Sequence, residues 1–329
     1  WGLSRQELGR KGFRERLFAM QLLYLGPPDT LEHVRAKLPK GFEVQFALDA
    51  ASADRFIQSC DVVLDAYLGV RFAADRLSRA VNLKLFVTAT TGADHVDATV
   101  LAKRGIPLLT LRGQRHVLQN LTPAAEHSWL LLMACARRLR AAIQDVVAGE
   151  WDRNKYPGVM LRGKILGIIG CGRIGQWMSR YATAFGMRCL GCDPFVDPWP
   201  ENIEKCDLGS LLARADFISL HVPLEEGTHQ LLKAKEFQMI RPGAILVNTS
   251  RGAVIDESAL LTALLEGRIA AAGLDVLAAE PDVADDPLIE YAKTHDNLLI
   301  TPHIGGFSPD AVRHVLSFSC QRIAEFFRL

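Results

Sequence analysis

The chain has 329 residues, of which 49% are hydrophobic and 23% are charged. At roughly 150 residues per domain this length predicts two domains, and the composition excludes a disordered, collagenous or disulfide-scaffold protein. The 38 basic and 37 acidic side chains give a formal net charge of +1, without the basic excess that is typical of nucleic-acid-binding domains. The densest apolar run, residues 129–136, is too short to span a membrane. We therefore expect neither nucleic acid nor a membrane as a partner.

The first segment of the chain shares some features with a secretory signal. Residues 1–16 hold five cationic and two acidic side chains, and residues 17–25 are apolar apart from Gln21. A Gly-Pro-Pro-Asp turn follows in place of a small-residue cleavage site, so residues 22–25 are interpreted as a strand that ends in a turn. This interpretation favours a cytoplasmic protein.

The seven cysteines are odd in number and irregularly spaced, which also indicates a reducing compartment. Cys189 and Cys192 have the C-x-x-C spacing of redox and zinc motifs, but they lie in a predicted strand, where positions i and i+3 point to opposite faces. No second pair accompanies them in the sequence. We expect two small buried residues and no metal site.

Short apolar runs alternate with helical patterns along the chain. In the first third, strands are predicted at 22–25, 62–64, 84–88 and 107–109, and helices at 29–37, 53–59, 73–79 and 96–104. A long helix over 123–140 and a linker over 149–163 follow, and a second alternating series begins at Lys164. Because strand–helix alternation predicts parallel sheets covered on both faces, the chain is interpreted as two doubly wound α/β domains.

The second series begins with an apolar strand that runs into a G-x-G-x-x-G turn and a helix ending at Phe185. Gly170 would make the tight turn, Gly172 would admit a pyrophosphate, and Gly175 would let the helix pack against the strand. The helix N-terminus offers amide donors to phosphates. The next strand ends in Asp193, where a carboxylate can bind both ribose hydroxyls and repel a 2′-phosphate. The segment predicts a dinucleotide site that favours NAD over NADP.

Three later strand ends each carry one reactive side chain, namely Arg251, Glu280 and His303. Ligands of open α/β sheets bind beyond the carboxyl ends of the strands, so these side chains could converge. An arginine offers a planar fork to a carboxylate, and a histidine oriented by a glutamate exchanges protons near neutral pH. Each residue also has a structural explanation: a salt bridge, a turn cap or a hydrogen-bonded histidine. Spacing alone does not decide between the two.

The ordered motifs make the chain similar to the D-isomer-specific 2-hydroxyacid dehydrogenases. The resemblance runs from about residue 83 onward and rests on six segments: 163–175, 219–224, 248–252, 273–276, 280–281 and 301–303. It implies an NAD-dependent 2-hydroxyacid dehydrogenase or 2-oxoacid reductase in which Arg251, Glu280 and His303 form the catalytic set and His303 is the acid–base.

The resemblance also assigns binding residues. The implied cofactor contacts are Gly170, Gly172, Arg173, Ile174, Gly175, Asp193, His221, Pro223, Thr228, Thr249, Ser250, Asp275 and Gly305. Arg173 and Ile174 would lie at the pyrophosphate, and Asp275 would hold the nicotinamide carboxamide. For His221, a packed histidine at a strand end is an alternative. The substrate carboxylate would bind Arg251 and the backbone amides of Thr91, Gly92 and Ala93.

The implied architecture is two Rossmann-like domains, with a flavodoxin-like substrate domain that is split in sequence. Residues 1–121 and 306–329 would form the substrate domain, and residues 122–305 the NAD-binding domain, with the helix over 123–140 at a homodimer interface. Residues 1–120 hold 17 basic and 12 acidic side chains, against 21 and 25 in the remainder. This excess of positive charge suits a small anionic substrate.

Two departures from the family pattern leave the substrate open. Residues 65–71, including Tyr67, stand where many members carry a short Ser/Thr-containing turn, so phosphate recognition is not implied. The loop 109–122 is longer than usual, and its polar residues either reach the substrate or face solvent; they are Arg112, Arg115, His116 and Gln119. Some relatives act mainly as NAD-sensing corepressors, which remains an alternative to the enzyme.

Overall fold

The computed structural model describes residues 19–329, so the signal-like cationic segment lies outside the described residues. The chain divides into two units. The first unit comprises the described residues up to Leu118 together with Pro309–Leu329, and the second comprises Gln119–Ser308. Each unit is built on a parallel sheet with helices between its strands, so the predicted fold class is confirmed.

The first unit contains a five-stranded parallel sheet in the order β2-β1-β3-β4-β5, the flavodoxin-like order. Its strands are β1 (Met20–Leu25), β2 (Phe42–Ala47), β3 (Val62–Asp65), β4 (Leu85–Thr88) and β5 (Leu108–Leu109). The helices up to Leu118 are α1 (Leu31–Lys37), α2 (Ala50–Phe56), α3 (Ala74–Arg79), α4 (Ala98–Lys103) and α5 (Arg115–Leu118).

Strand β2 is absent from the predicted set, while the four other strands of this sheet are confirmed. β3 and β4 are buried at every position, as is typical of parallel strands covered on both faces. β2 is an edge strand in which only Ala47 is fully buried, and Glu43 and Gln45 interrupt its apolar residues. The continuous apolar run that marks a buried strand is therefore missing.

The second unit contains a seven-stranded parallel sheet in the order β12-β11-β10-β9-β6-β7-β8. Its strands are β6 (Ile165–Ile169), β7 (Arg188–Cys192), β8 (Glu204–Lys205), β9 (Phe217–Leu220), β10 (Ala244–Asn248), β11 (Ile269–Leu274) and β12 (Leu298–Ile300). Its helices are α6 (Pro123–Ala136), α7 (Leu139–Val147), α8 (Arg173–Ala184), α9 (Leu208–Arg214), α10 (Ala234–Met239), α11 (Glu257–Leu265) and α12 (Pro287–Thr294). The order changes direction at β6, which creates a crevice at the carboxyl ends of β6 and β9.

The helix predicted over 123–140 is wrong beyond its first fourteen residues, because α6 ends at Ala136 and α7 begins at Leu139. Arg138 lies between them with a left-handed φ of +49°. Its guanidinium donates to Asp296 at 2.8 Å and to the carbonyl of Lys155 at 3.0 Å. These tertiary bonds hold the chain in a conformation that a continuous helix does not allow.

Helix α13 (Pro309–Phe327) returns the chain to the first unit and packs on α1. Leu316, Cys320 and Ile323 are fully buried on its inner face, and Ser317 Oγ lies 2.8 Å from Nε2 of His33 on α1. No helix within residues 19–329 is long and apolar enough to cross a membrane.

All seven cysteines carry free thiols. Cys189 is buried and Cys192 partly buried on strand β7, as expected. In this described part of the chain no group of three or more His, Cys, Asp or Glu side chains could hold a metal ion.

Candidate active site

The three reactive side chains of the sequence motifs leave three neighbouring strands of the second sheet. β10, β11 and β12 are adjacent and parallel, so their carboxyl ends meet at one edge of the sheet. Arg251, Glu280 and His303 stand in the loops that follow these three strands. The parallel topology therefore brings the three loops to the edge where open α/β sheets bind ligands.

His303 and Glu280 form a hydrogen-bonded pair. Nδ1 of His303 lies 2.9 Å from Oε1 of Glu280, and each side chain is 30% exposed. The carboxylate accepts the Nδ1 proton and leaves Nε2 as the nitrogen that exchanges a proton with a ligand. This is the arrangement of a histidine acid–base oriented by a carboxylate.

The loop that carries His303 is held by Asp275, a buried residue at the end of β11. His303 has a left-handed φ of +53°, and its N–H donates to the carbonyl of Asp275 at 2.8 Å. The carboxylate of Asp275 accepts the N–H groups of Ile304 at 2.9 Å and Gly305 at 2.7 Å. A Cβ at Gly305 would lie 2.9 Å from Oδ2 of Asp275, so this close approach requires glycine. Asp275, implied to bind the carboxamide, thus also fixes the unusual backbone at His303.

The loop that carries Arg251 is held by Asn248, a residue to which the motifs assign no role. The Asn248 amide group donates to the carbonyl of Arg251 at 2.9 Å and accepts the N–H and the hydroxyl of Ser250 at 3.0 and 2.8 Å. Nη1 of Arg251 donates to the carbonyl of Ser250 at 2.7 Å. Thr249, in the same loop, places its hydroxyl 2.6 Å from that of Ser128. The loop is therefore fixed on both sides by buried side chains.

The residue after Arg251, Gly252, must be small because backbone atoms of another loop lie close to it. A Cβ at this position would lie 2.1 Å from the carbonyl carbon of Leu277 and 2.2 Å from the amide nitrogen of Ala278. These are backbone atoms of the loop that follows β11 and cannot move aside. The loops carrying Arg251 and Glu280 therefore pack backbone against backbone.

The glycine turn between β6 and α8 has the geometry that the sequence predicts. Gly170 has a φ of +91°, and a Cβ at Gly175 would lie 2.2 Å from the carbonyl oxygen of Gly170. A Cβ at Gly172 would meet no atom within 4 Å, so the protein's own packing does not require glycine there. This open space, next to the unpaired first amides of a 12-residue helix, fits the pyrophosphate of a dinucleotide.

Asp193 lies beside this turn at the end of β7. Its carboxylate accepts the N–H of Cys171 at 2.9 Å and that of Phe195 at 2.8 Å, so it is held next to the glycine turn. Arg173, the first residue of α8, donates to the carbonyl of Leu121, and burial lowers the pKa of its guanidinium. Ile174 is partly buried against the core of the unit.

The three residues predicted to line the groove after β9 differ in their surroundings. His221 is partly buried, and the desolvation of its ring lowers its pKa from 6.5 to about 3. Its Nε2 lies 2.8 Å from the hydroxyl of Ser219, whereas its buried Nδ1 has no hydrogen-bond partner among the described residues. The Thr228 hydroxyl donates to the carbonyl of Pro223 at 2.6 Å, so this pair closes its own loop.

In the first unit, Thr91, Gly92 and Ala93 follow β4 at the carboxyl edge of the sheet. The Thr90 hydroxyl donates to the carbonyl of Gly92 at 2.6 Å, and the carbonyl of Ala93 accepts the N–H of Val96 at 2.9 Å. Both bonds are accepted by carbonyl groups of the loop, and together they fix its backbone conformation.

A buried histidine–carboxylate pair, which the motifs do not include, lies next to this loop. Nε2 of His95 lies 2.7 Å from Oδ2 of Asp65, whose side chain is completely buried. The other oxygen of Asp65 accepts the N–H of Tyr67 at 3.1 Å. One carboxylate thus connects the loops after β3 and β4. The sequence signal for this pair is limited to a charged residue, Asp65, directly after the apolar run 62–64.

The residues considered for substrate specificity lie at the surface. Arg112, Arg115, His116 and Gln119 are exposed, as is Tyr67. The His116 ring contacts the edge of Phe318 on α13, with the ring centroids 5.5 Å apart.

Two doubly wound sheets, an open glycine cradle and a carboxylate-oriented histidine define a class, the dinucleotide-dependent dehydrogenases. The family follows from comparison with known proteins. Residues 129–305, more than half of the chain, match the family model "D-isomer specific 2-hydroxyacid dehydrogenase, NAD binding domain". The chain belongs to this family and is an NAD-dependent oxidoreductase that acts on the CH–OH group of hydroxy acids.

Individual relatives agree with this assignment. The chain is 36% identical over 253 residues to hydroxypyruvate reductase of Thermotoga maritima, covering 77% of this chain and 80% of that protein. It is 35% identical over 279 residues to D-3-phosphoglycerate dehydrogenase of Methanocaldococcus jannaschii, covering 83% of this chain and 51% of that protein. The chain thus spans about half the length of this second relative.

Among solved structures, the TT0316 protein from Thermus thermophilus is 33% identical. It superposes with a TM-score of 0.80 over 94% of this chain and 97% of that one. The predicted family, enzyme class and cofactor are confirmed, and the corepressor alternative is not supported.

Proposed function

We propose that the protein interconverts a small D-2-hydroxy acid and its 2-oxo acid, with His303 as the acid–base. The observation that carries this proposal is the 2.9 Å bond between His303 and Glu280, both partly exposed, on a loop whose backbone is fixed by Asp275. In the reducing direction, Nε2 of His303 gives a proton to the carbonyl oxygen while Glu280 stabilises the charged ring. In the oxidising direction the same nitrogen removes the hydroxyl proton.

The proposed cofactor site follows the β6–α8 turn. Gly170, Gly172 and Gly175 shape the cradle, with Arg173 and Ile174 at its helical side, and Asp193 binds the ribose hydroxyls. The remaining contacts are His221, Pro223, Thr228, Thr249, Ser250, Asp275 and Gly305. When bound, NADH supplies the hydride that reduces the substrate carbon. A neutral His221, expected from its burial, adds no charge to this groove.

The proposed substrate is a small anion. Its carboxylate binds the fork of Arg251 and the backbone amides of Thr91, Gly92 and Ala93. Arg251 also stabilises the negative charge that develops on the carbonyl oxygen. The excess of basic residues in the first 120 positions supports an anionic substrate rather than a nucleic acid or a membrane surface.

The proposed roles of the two domains follow the architecture implied by the resemblance. Residues 1–121 with 306–329 form the substrate domain, and residues 122–305 form the NAD-binding domain. Seven free thiols support a cytoplasmic location.

We further propose a homodimer through the NAD-binding domain. Helix α7 buries none of its residues, although Leu139, Ile143, Val146 and Val147 recur at the spacing of one helical face. Trp151, which follows α7 in the chain, is 89% exposed. Light scattering should give twice the chain mass for the wild type and the single mass for an Ile143→Asp, Val147→Asp variant. A monomeric wild type would refute the dimer.

The activity is tested with purified protein, NADH and a panel of 2-oxo acids that includes hydroxypyruvate, glyoxylate, pyruvate and phenylpyruvate. At least one of them should be reduced, and the loss of NADH absorbance gives the rate. His303→Ala should lower kcat by about 10²- to 10⁴-fold, the usual contribution of a general acid. Near-normal turnover by His303→Ala would exclude the assigned role.

A further inference from the structure

Helix α6 places two adjacent polar side chains against the two catalytic loops. His127 bonds to the loop that carries His303, and Ser128 bonds to the loop that carries Arg251. We propose that His127 and Ser128 are positioning residues, which set the relative placement of the acid–base and the carboxylate-binding arginine. The inference rests on the proposed function, because it concerns the same site.

The contact of His127 is a chain of hydrogen bonds. Nε2 of His127 lies 2.8 Å from the hydroxyl of Thr301 and 3.2 Å from Oδ1 of Asp275. The Thr301 hydroxyl has one proton and donates it to Asp275 at 2.5 Å. Its oxygen must therefore accept from His127, so Nε2 carries the proton. The ring thus helps to fix the Asp275 carboxylate, which in turn accepts the N–H groups of Ile304 and Gly305 directly after His303.

The contact of Ser128 is equally specific. Its hydroxyl, which is completely buried, lies 2.6 Å from the hydroxyl of Thr249 and donates to the carbonyl of Ala124 at 2.6 Å. Because the serine proton goes to the helix carbonyl, the Thr249 hydroxyl must donate to Ser128. The threonine is thereby held two residues before Arg251.

Helix α6 is fixed enough to serve as a common support. It packs on β10 and β11, the two strands that lead into the loops of Arg251 and Glu280. A Cβ at Gly273 of β11 would lie 2.9 Å from Cβ of Leu131, so helix and sheet touch at a glycine contact. Adjacent residues on such a helix cannot shift independently. One rigid element therefore fixes the positions of two loops, which follow different strands, relative to each other.

The arrangement matters because the two loops act on two ends of one small substrate. A misplacement of about 1 Å can cost about 100-fold in rate when reacting groups must align. His127 is only 11% exposed, and its ring proton is committed to Thr301. It therefore acts through the loop rather than by touching the substrate.

The test compares His127→Leu, which removes the donor, with His127→Gln, whose amide can place a donor near the Nε2 position. In steady-state assays with NADH and the best 2-oxo acid of the panel, His127→Leu should lower kcat by about 10- to 100-fold. The Kd for NADH, measured by fluorescence titration, should change by less than about twofold. His127→Gln should recover most of kcat. Ser128→Ala should instead raise KM for the 2-oxo acid, because it loosens the loop of Arg251.

A matched control is Ser319→Ala, since Ser319 is a buried helical serine of the other unit whose hydroxyl has no partner among the described residues. It should leave kcat and KM unchanged. Equal loss of kcat in the Leu and Gln variants, or normal kcat in the Leu variant, would overturn the inference while leaving the proposed function intact. If His127→Leu does not fold, Thr301→Val removes the same chain of bonds and must show the same loss of kcat. No turnover by the wild type with any acid would overturn the proposed function itself.

Discussion

Each of the two sheets carries a histidine–carboxylate pair at its carboxyl edge, and the two pairs differ in burial. His303 and Glu280 are each 30% exposed, whereas His95 is 11% exposed and Asp65 is completely buried. The exposed pair joins through Nδ1 and leaves the outer nitrogen for a ligand, while the buried pair joins through Nε2 itself. The exposed pair is the one proposed for proton exchange, whereas the buried pair supports two loops of the first unit.

This difference also explains why the chemistry was easier to infer than the substrate. In the second unit, the reactive side chains belong to short ordered sequence segments and therefore leave a motif. In the first unit, the proposed contacts are backbone amides of Thr91, Gly92 and Ala93, which any residue type can supply. The nature of the substrate is accordingly the least visible property of the sequence.

Among the variants that distinguish the two pairs by their carboxylates, the largest effect is expected from Glu280→Gln. Glutamine can still accept the Nδ1 proton but carries no charge to stabilise a protonated His303, so kcat should fall by about 10- to 1000-fold. Thermal stability should change little because the pair is partly exposed. The measurement is kcat beside a melting curve, with the surface variant Glu290→Gln on α12 as control. Unchanged kcat would mean that the exposed pair has no more catalytic importance than the buried one.

A smaller and local effect is expected from Asp65→Asn. Weakening a buried, charge-assisted bond should cost about 1–3 kcal/mol, confined to the first unit. Hydrogen exchange should become faster in peptides over 62–72 and 86–97 and stay unchanged over 165–192. KM for the 2-oxo acid should rise several-fold, with kcat retained. A loss of kcat as large as that of Glu280→Gln would contradict the distinction between the pairs.

The smallest effect concerns a further histidine, His221, whose Nδ1 is buried. Its pKa of about 3 lies below its unfolded value of 6.5, so the unfolded chain binds a proton that the folded chain does not. The free energy of unfolding should therefore be fully retained above about pH 6.5 and decrease as the pH falls toward 3. Between pH 6.5 and 5 the loss should be about 1–2 kcal/mol.

This pH dependence can be measured by urea unfolding followed through tryptophan emission, because Trp129, Trp151, Trp177 and Trp199 all lie in the second unit. In His221→Gln the same decrease should be weaker by that amount. Identical pH slopes in the two proteins would show that the histidine is protonated in the folded state.

Local rules were sufficient to predict β6, α8 and β7, because the glycine spacing, the apolar strand and the helix stop all agree. The proposed trio of Arg251, Glu280 and His303 was recognised instead from the resemblance to the family, because each residue stands in one of the ordered motifs. The break at Arg138 was not predictable, since it depends on Asp296 and on the Lys155 carbonyl, which are distant in sequence. Asn248, Asp65 and His127 were also missed, because a single polar residue near a strand end or on a helix has no pattern that separates a loop support from a surface residue.

The return of α13 to the first unit makes the second unit an insertion between two parts of the first. During synthesis, residues 119–308 emerge before Leu316 and Ile323 are available to cover α1. A ribosome-bound chain can therefore complete the fold of the second unit while the first unit still exposes apolar surface. Chaperones should bind the chain most strongly during that interval, because the exposed apolar surface is then largest. Amino acid changes on the inner face of α13 should therefore lower the yield of folded protein more than its specific activity.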